Sequence, residues 1–143
     1  MSDQVLIRIE DVSRIFPVPG GEFAALKKIN ATINKGSITI LKGRSGSGKT
    51  TLMNILGALD RQSSGTLLFE GQDIGELSEK KREELRRKDF GFVFQSVSLI
   101  PSLNAYQNVE FSMRLAGKKI DAGTAKRVRD CLKMVGLGNR MTH

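Results

Sequence analysis

The stretch Gly43-Arg-Ser-Gly-Ser-Gly-Lys-Thr50 determines how the rest of this chain is interpreted. It has the spacing of a phosphate-binding loop, in which a glycine and four further residues precede Gly-Lys-Ser/Thr. Gly46 and Gly48 can adopt backbone angles that other residues resist, so several backbone N–H groups can turn inward as an anion-binding nest. Lys49 supplies a positive charge for the β- and γ-phosphates, and the Thr50 hydroxyl supplies a ligand for Mg²⁺. The stretch therefore predicts binding of a nucleoside triphosphate.

The residues on either side predict the strand, loop and helix that this motif requires. Residues 37–42, Ser-Ile-Thr-Ile-Leu-Lys, are β-branched and apolar, which predicts a buried strand. After the loop, apolar residues recur at helical spacing from Leu52 to Leu59, so we predict a helix that begins at about Lys49. The positive end of that helix would then face the phosphates.

Composition and charge narrow the class of protein. The chain has 143 residues, of which 39% are hydrophobic, enough for one domain or part of one. It has no apolar run of about 18 residues and no signal-peptide pattern at its start, and its one cysteine, Cys131, excludes an internal disulfide framework. A cytosolic location is expected.

The net charge of +8 admits nucleic acid or an anionic membrane as a partner. The basic residues are dispersed, however, and no aromatic residues interleave with them as they would in a surface that stacks bases. We therefore expect no nucleic-acid binding.

The first part of the chain is predicted to form an antiparallel β layer. Residues 5–16 and 22–33 are rich in β-branched and apolar residues, and the turn at 17–21 contains two prolines and two glycines. A short strand is expected at 66–70, after the loop helix. Ser78 is expected to cap a helix that continues to about Lys88 and is mostly solvated, the alternative being a basic face for a membrane or partner surface.

The last part of the chain is predicted to be mainly helical. It begins with an aromatic-rich strand at 90–95, which ends on Gln95. A helix is expected over about 103–115. Asp121 is expected to cap a final helix, which Gly136 can close.

Together these motifs resemble the front part of an ABC transporter ATPase subunit, most closely the subfamily that serves lipoprotein-releasing and macrolide-export permeases. The resemblance implies an α/β P-loop NTPase of ABC ATPase type, with an N-terminal antiparallel β layer, a partial core sheet and the start of a helical subdomain. The β layer and P-loop core would occupy about residues 1–95, and the Q-loop with the helical subdomain about 95–143. The resemblance extends over residues 5–143 and is carried by Val12–Phe16, Ala25–Ile29, Gly43–Leu52, Leu59–Arg61, Ser64–Gly65, Phe90–Gln95, Ile100–Leu103 and Gln107–Val109.

The resemblance also implies roles for individual residues. Phe16 would stack on adenine, the alternative being an aromatic residue buried in a strand. Lys49 and Gln95 would be the catalytic residues. Gln95 would be the Q-loop glutamine, which contacts the region of the attacking water. Gln95 and Thr50 would both contact Mg²⁺. An amide suits that role because it donates and accepts hydrogen bonds without adding charge. Besides Phe16, the nucleotide contacts are expected from Gly43, Ser45, Gly46, Ser47, Gly48, Lys49, Thr50 and Thr51.

The implied cofactors are ATP and Mg²⁺. The implied partners are an integral membrane permease and a second cassette, at the inner face of the plasma membrane. Downstream of Thr50, however, the sequence has no apolar strand that ends in the Asp and Glu needed for Mg²⁺ and water, and no LSGGQ-type signature. We therefore expect a truncated cassette that binds ATP and does not hydrolyse it by itself.

Other functions stay open at this point. One is a non-catalytic fragment that binds a nucleotide or a partner, and another is a basic nucleic-acid-binding protein. A small-molecule kinase is also formally possible. A GTPase is disfavoured because the only Asn-Lys pair, Asn34-Lys35, lies upstream of the loop and lacks the Asp that reads guanine.

Overall fold

The computed structural model describes residues 4–143, which form two compact units. The N-terminal unit extends to Phe90, and the C-terminal unit comprises Gly91–His143. The N-terminal unit contains β1 (Val5–Val18), β2 (Gly21–Asn34), α1 (Lys49–Leu56), β3 (Ser64–Phe69), β4 (Gln72–Asp73) and α2 (Glu79–Lys88). The C-terminal unit contains α3 (Ala105–Leu115) and α4 (Ala122–Met134).

The N-terminal unit is built on an antiparallel sheet with the strand order β2-β1-β3-β4. The β1–β2 hairpin turns at the predicted Pro and Gly positions, so the predicted antiparallel β layer is confirmed. The pairing register of β1 and β2 shifts within the hairpin. Arg14 pairs with Leu26, but the next residue, Ile15, pairs with Ala24. Ala25 is thereby left as an extra residue on β2, which is the arrangement of a β-bulge.

The sheet and α1 share one hydrophobic cluster, which is the core of the N-terminal unit. The helix begins at Lys49 as predicted, and it contributes Leu52 and Ile55 to the core. It ends at Leu56, earlier than the apolar spacing suggests, because Ala58 adopts a left-handed φ of 57°. The other buried members of the cluster are Ile9, Val12, Leu26, Ala58, Leu67 and Ile74.

Two strand predictions were wrong, the buried strand at 37–42 and the aromatic-rich strand at 90–95. Residues 37–42 and 91–95 have no regular secondary structure, and Phe90 is likewise outside any strand. Ile38 is 93% exposed and Val93 is fully exposed. A strand requires a neighbour that accepts and donates its backbone hydrogen bonds. Within residues 4–143, neither segment pairs with any of the four strands.

The C-terminal unit consists of two capped helices. The predicted cap at Asp121 is confirmed, since its carboxylate accepts a hydrogen bond from the Thr124 N–H at 3.0 Å. Asn104 caps α3 in the same way through Gln107. α4 buries Val128 and Leu132, and α3 packs against it. Among the described residues, no helix combines the length and apolar character needed to cross a membrane.

Candidate functional site

The loop that precedes α1 has the backbone shape that the sequence predicts. Gly46 and Gly48 both have left-handed backbone angles, with φ of 78° and 92°. The Ser47 N–H donates to the Arg44 carbonyl oxygen at 3.1 Å and closes a turn. Gly48 is the N-cap of α1, so the loop leads directly into the first turn of the helix.

Gly48 allows this loop to lie against the sheet at the bulge in β2. A Cβ atom at Gly48 would be 2.5 Å from the Ala25 carbonyl oxygen and 2.9 Å from a Leu26 methyl carbon. Both distances are too short for a real side chain, and the left-handed φ adds strain for any residue other than glycine. Gly43 is restricted in a different way, because its added Cβ would be 2.6 Å from the Ser47 hydroxyl oxygen.

The Lys49 ammonium group is held over the loop by three acceptors. Its Nζ donates to the Gly43 carbonyl oxygen at 2.6 Å, to the Arg44 carbonyl oxygen at 2.7 Å and to the Ser47 hydroxyl at 3.3 Å. Three donors with three acceptors satisfy the ammonium group. The positive charge is thus fixed beside the loop, where an anionic ligand could exchange with the loop carbonyls.

The first turn of α1 offers further groups for an anion and a cation. Its leading N–H groups have no partner within the helix, and they lie at the positive end of the helix dipole. The first turn contains no acidic side chain to compete with a bound anion. Thr50 is exposed, and its hydroxyl is the hard oxygen ligand that Mg²⁺ prefers. These residues therefore fit a polyphosphate and Mg²⁺.

Phe16, predicted to stack on adenine, is half-buried on β1 opposite Phe23. The Arg14 guanidinium lies over its ring, with Cζ 4.4 Å from the ring centroid. The same guanidinium donates to both carboxylate oxygens of Asp60, from Nε at 2.9 Å and from Nη2 at 3.1 Å. Neither Arg14 nor Asp60 is among the site residues that the sequence predicts. The signal for Arg14 was its spacing of two residues from Phe16 on a strand, which puts both on one face.

Gln95 lies in the C-terminal unit, whereas Lys49 and Thr50 lie in the N-terminal unit. Gln95 is exposed in a bend. Its expected contact with Mg²⁺ and with the attacking water therefore stays a prediction.

A buried arginine, which the sequence does not predict either, holds the segment that follows α1. Arg82 is 2% exposed, although its helix α2 was predicted to be solvated. It donates to the carbonyl oxygens of Ala58 at 2.9 Å, Asp60 at 2.9 Å and Ile74 at 3.2 Å. Burial lowers the pKa of Arg82. Arg86, one turn further along α2, also donates to the Ala58 carbonyl oxygen, at 2.7 Å.

Comparison with known proteins decides the family. The sequence profile described as "ABC transporter" matches residues 26–143, which is most of the chain. The chain belongs to the ABC transporter family. This confirms the resemblance inferred from the sequence and the α/β P-loop fold of ABC ATPase type.

Several relatives are similar over nearly the whole chain. A macrolide export ATP-binding/permease protein, MacB from Wolinella succinogenes, is 44% identical over 96% of this chain and 21% of its own length. A lipoprotein-releasing system ATP-binding protein, LolD from Shewanella denitrificans, is 38% identical over 96% of this chain and 59% of its own length. The chain thus spans about a fifth of the MacB relative and about three fifths of the LolD relative.

Solved structures lead to the same family. The ATP-binding cassette MJ0796, in a dimeric post-hydrolysis state bound to ADP and Pi, matches with a TM-score of 0.89 and 32% identity. The match covers 96% of this chain and 61% of that cassette. A second dimeric structure of MJ0796 matches with a TM-score of 0.87. This chain is therefore homologous to the ATP-binding domains of ABC transporters.

Proposed function

We propose that this chain binds ATP with Mg²⁺ through Gly43–Thr51, as the ATP-binding part of an ABC transporter that drives export through a membrane permease. The observation that carries the proposal is the Lys49 ammonium group, fixed beside a left-handed glycine loop at the start of α1. That arrangement supports the proposal, because a cation, backbone N–H groups and the positive end of a helix dipole together favour an anion.

Each part of the loop has a chemical task in this proposal. Lys49 exchanges its loop carbonyls for the β- and γ-phosphate oxygens. The backbone N–H groups of Gly46 and of residues 48–51 bind the remaining phosphate oxygens, because the Ser47 N–H already donates to the Arg44 carbonyl oxygen. The Ser45 and Ser47 hydroxyls lie exposed beside them. Thr50 ligates Mg²⁺, which would neutralise charge on the phosphates. Phe16 stacks on the adenine.

The partners that we propose are an integral membrane permease and a second cassette, at the inner face of the plasma membrane. The printed names of the relatives support this assignment, since one is an export ATP-binding/permease protein and another belongs to a lipoprotein-releasing system. The dimeric state of the MJ0796 cassette supports pairing of two cassettes. In this proposal the C-terminal unit begins the helical subdomain that meets the permease, and Gln95 reports the nucleotide state to it.

A second, narrower function is binding without turnover by this chain alone. Asp60 follows α1 closely in sequence, but it is occupied by the Arg14 guanidinium. Glu70 is similarly paired with Lys35 at 2.9 Å, and Glu79 with Arg86 at 2.9 Å. We expect the purified chain to bind ATP and to release no phosphate above background. Phosphate release that disappears in Lys49→Ala would refute this narrower function.

Calorimetric titration of Mg²⁺-ATP into the purified chain tests nucleotide binding. Lys49→Ala removes a charge-assisted contact to phosphate and should raise the Kd roughly 10- to 100-fold. Lys42→Ala is the matched control, because Lys42 is an exposed lysine just before the loop. It should leave the Kd within about twofold. Equal affinity of the wild type and Lys49→Ala, at unchanged melting temperature, would contradict the proposal.

A further inference from the structure

We propose that Arg14, anchored by Asp60, is a positioning residue that holds the Phe16 ring ready for the nucleobase. The inference rests on the proposed ATP-binding function and adds two residues to it. The Arg14 guanidinium makes two contacts at once. It stacks on the Phe16 ring, with Cζ 4.4 Å from the ring centroid, and it donates hydrogen bonds to both carboxylate oxygens of Asp60.

The Asp60 carboxylate fixes the guanidinium in place. The two hydrogen bonds form a bidentate pair, which defines the plane of the guanidinium as well as its position. The side chains of Arg14 and Asp60 are only 25% and 33% exposed, so water screens the pair less than it would on an open surface.

Asp60 is itself held on several sides. Its carboxylate also accepts the Arg61 backbone N–H at 2.8 Å, and its carbonyl oxygen accepts a hydrogen bond from buried Arg82 at 2.9 Å. The segment after α1 is therefore a rigid support for Arg14. Because Arg14 is held in place, the Phe16 ring that it stacks on is also restricted in its movement.

A fixed guanidinium on one face of the ring leaves the opposite face for a base. An aromatic ring has two π faces, and a cation over one of them is attracted by the quadrupole of the ring. Stacking on a ring that is already oriented costs less conformational entropy than stacking on a mobile one. The Arg14 contact thus prepares Phe16 for a nucleobase without any contact between Arg14 and the base.

The phosphate loop lies close to this ring along β2. Phe16 pairs across the hairpin with Phe23, and the bulge residue Ala25 is two residues further along that strand. The Ala25 carbonyl oxygen is the atom that a Cβ at Gly48 would meet at 2.5 Å. Two residues of strand span about 7 Å. The ring and the loop can therefore contact two ends of one nucleotide.

The test compares two ligands that differ in the base. Mg²⁺-ATP and Mg²⁺-tripolyphosphate are titrated into the full chain and into Arg14→Ala. We expect the Kd for ATP to rise about three- to tenfold in Arg14→Ala, and the Kd for tripolyphosphate to stay within about twofold. Arg14→Lys keeps the charge and loses the bidentate pair, so it should give an intermediate Kd for ATP. In a Phe16→Ala background, Arg14→Ala should have no further effect on the Kd for ATP.

Arg8→Ala is the matched control, because Arg8 lies on the same strand and its side chain is 52% exposed. It should change neither Kd. The proposal is overturned if Arg14→Ala weakens both ligands equally, or if the loss for ATP persists in the Phe16→Ala background. Tighter ATP binding in Arg14→Ala would also overturn it, since Arg14 would then cover the face that the base needs. A wild-type chain without Lys49-dependent ATP binding would instead refute the proposed function, and this inference with it.

Discussion

The sheet of the N-terminal unit and two other apolar stretches of the chain are composed of similar residues but differ in their surroundings. On β1, Ile9 is 3% exposed, with strands hydrogen-bonded on both sides. Ile38 is 93% exposed, and it lies in one of two segments, residues 37–42 and 91–95, that have no strand neighbour within the described chain. We refer to these two as the unpaired segments.

The difference shows that β-branched and apolar residues favour a strand but do not produce one. Most of the stabilisation of a sheet comes from cross-strand pairs and from the apolar surface that the sheet buries. β1 obtains both from β2 and β3, and its apolar residues then meet α1 in the core. The unpaired segments have the composition of strands without the neighbours.

The largest expected effect compares one isoleucine in each environment. Ile9→Ala removes buried methylene and methyl groups from the core, and it should lower the free energy of unfolding by about 2–5 kcal/mol. Ile38→Ala should change it by less than about 0.5 kcal/mol, because Ile38 is already in water. Urea unfolding followed by circular dichroism measures both variants.

Concentration dependence sharpens this comparison. If Ile38→Ala destabilises the chain as much as Ile9→Ala does, residues 37–42 are buried in solution, and the described contrast between the two environments is wrong. Repeating the unfolding over a tenfold range of protein concentration identifies burial between copies, because an association shifts the midpoint with concentration.

The sequence was sufficient for the features of the fold that depend on neighbours in the chain. The hairpin turn, the start of α1 at Lys49 and the caps at Ser78 and Asp121 follow from local residue types and spacing. The unpaired segments were predicted wrongly, because pairing depends on residues that are distant in the sequence. A strand pattern alone does not contain that information.

The next effect concerns a charged residue in the buried environment. Arg82→Met fills similar space but removes the guanidinium that donates to the carbonyl oxygens of Asp60 and Ile74, whereas the Ala58 carbonyl oxygen keeps its hydrogen bond from Arg86. Each unsatisfied buried group costs about 1–3 kcal/mol, offset by the cost of burying the guanidinium itself, so we expect a net loss of about 2 kcal/mol. Arg87→Met, on the exposed side of the same helix, should change stability by less than about 0.5 kcal/mol.

Urea midpoints of the two arginine variants give the measurement. Equal midpoints would mean that Arg82 is exchangeable with a surface arginine, which contradicts its role as an anchor for the segment after α1.

The candidate site divides in the same way into what the sequence predicts and what it does not. The loop from Gly43 to Thr50 was predictable because its function requires fixed spacing over eight positions. Arg14 and Asp60 are 46 residues apart, and Arg82 reaches Ala58 over 24 residues. Contacts of that range depend on how the sheet, α1 and α2 pack, so a local pattern cannot specify them.

The smallest expected effect is electrostatic and concerns Glu79, an exposed residue of α2 that lies beside Arg82 and Arg86. A hydrogen bond from Arg86 lowers the pKa of Glu79 below its ordinary value of 4.5. The folded state therefore binds fewer protons than the unfolded state near this pH, so Glu79 stabilises the fold above pH 4.5 and loses that effect as the pH falls toward the lowered pKa. Glu79 is exposed, so the contribution is small and screened by salt.

Melting temperatures across the acid range, measured for the wild type and Glu79→Gln, check this contribution. The wild type should melt higher than Glu79→Gln above pH 4.5, and the difference should shrink below it. In an Arg86→Gln background the same substitution should change the pH dependence less, because the hydrogen bond that lowers the pKa is gone. A pH-independent difference would mean that Glu79 acts through packing, and the ion pair would then not explain how α2 is held at its exposed edge.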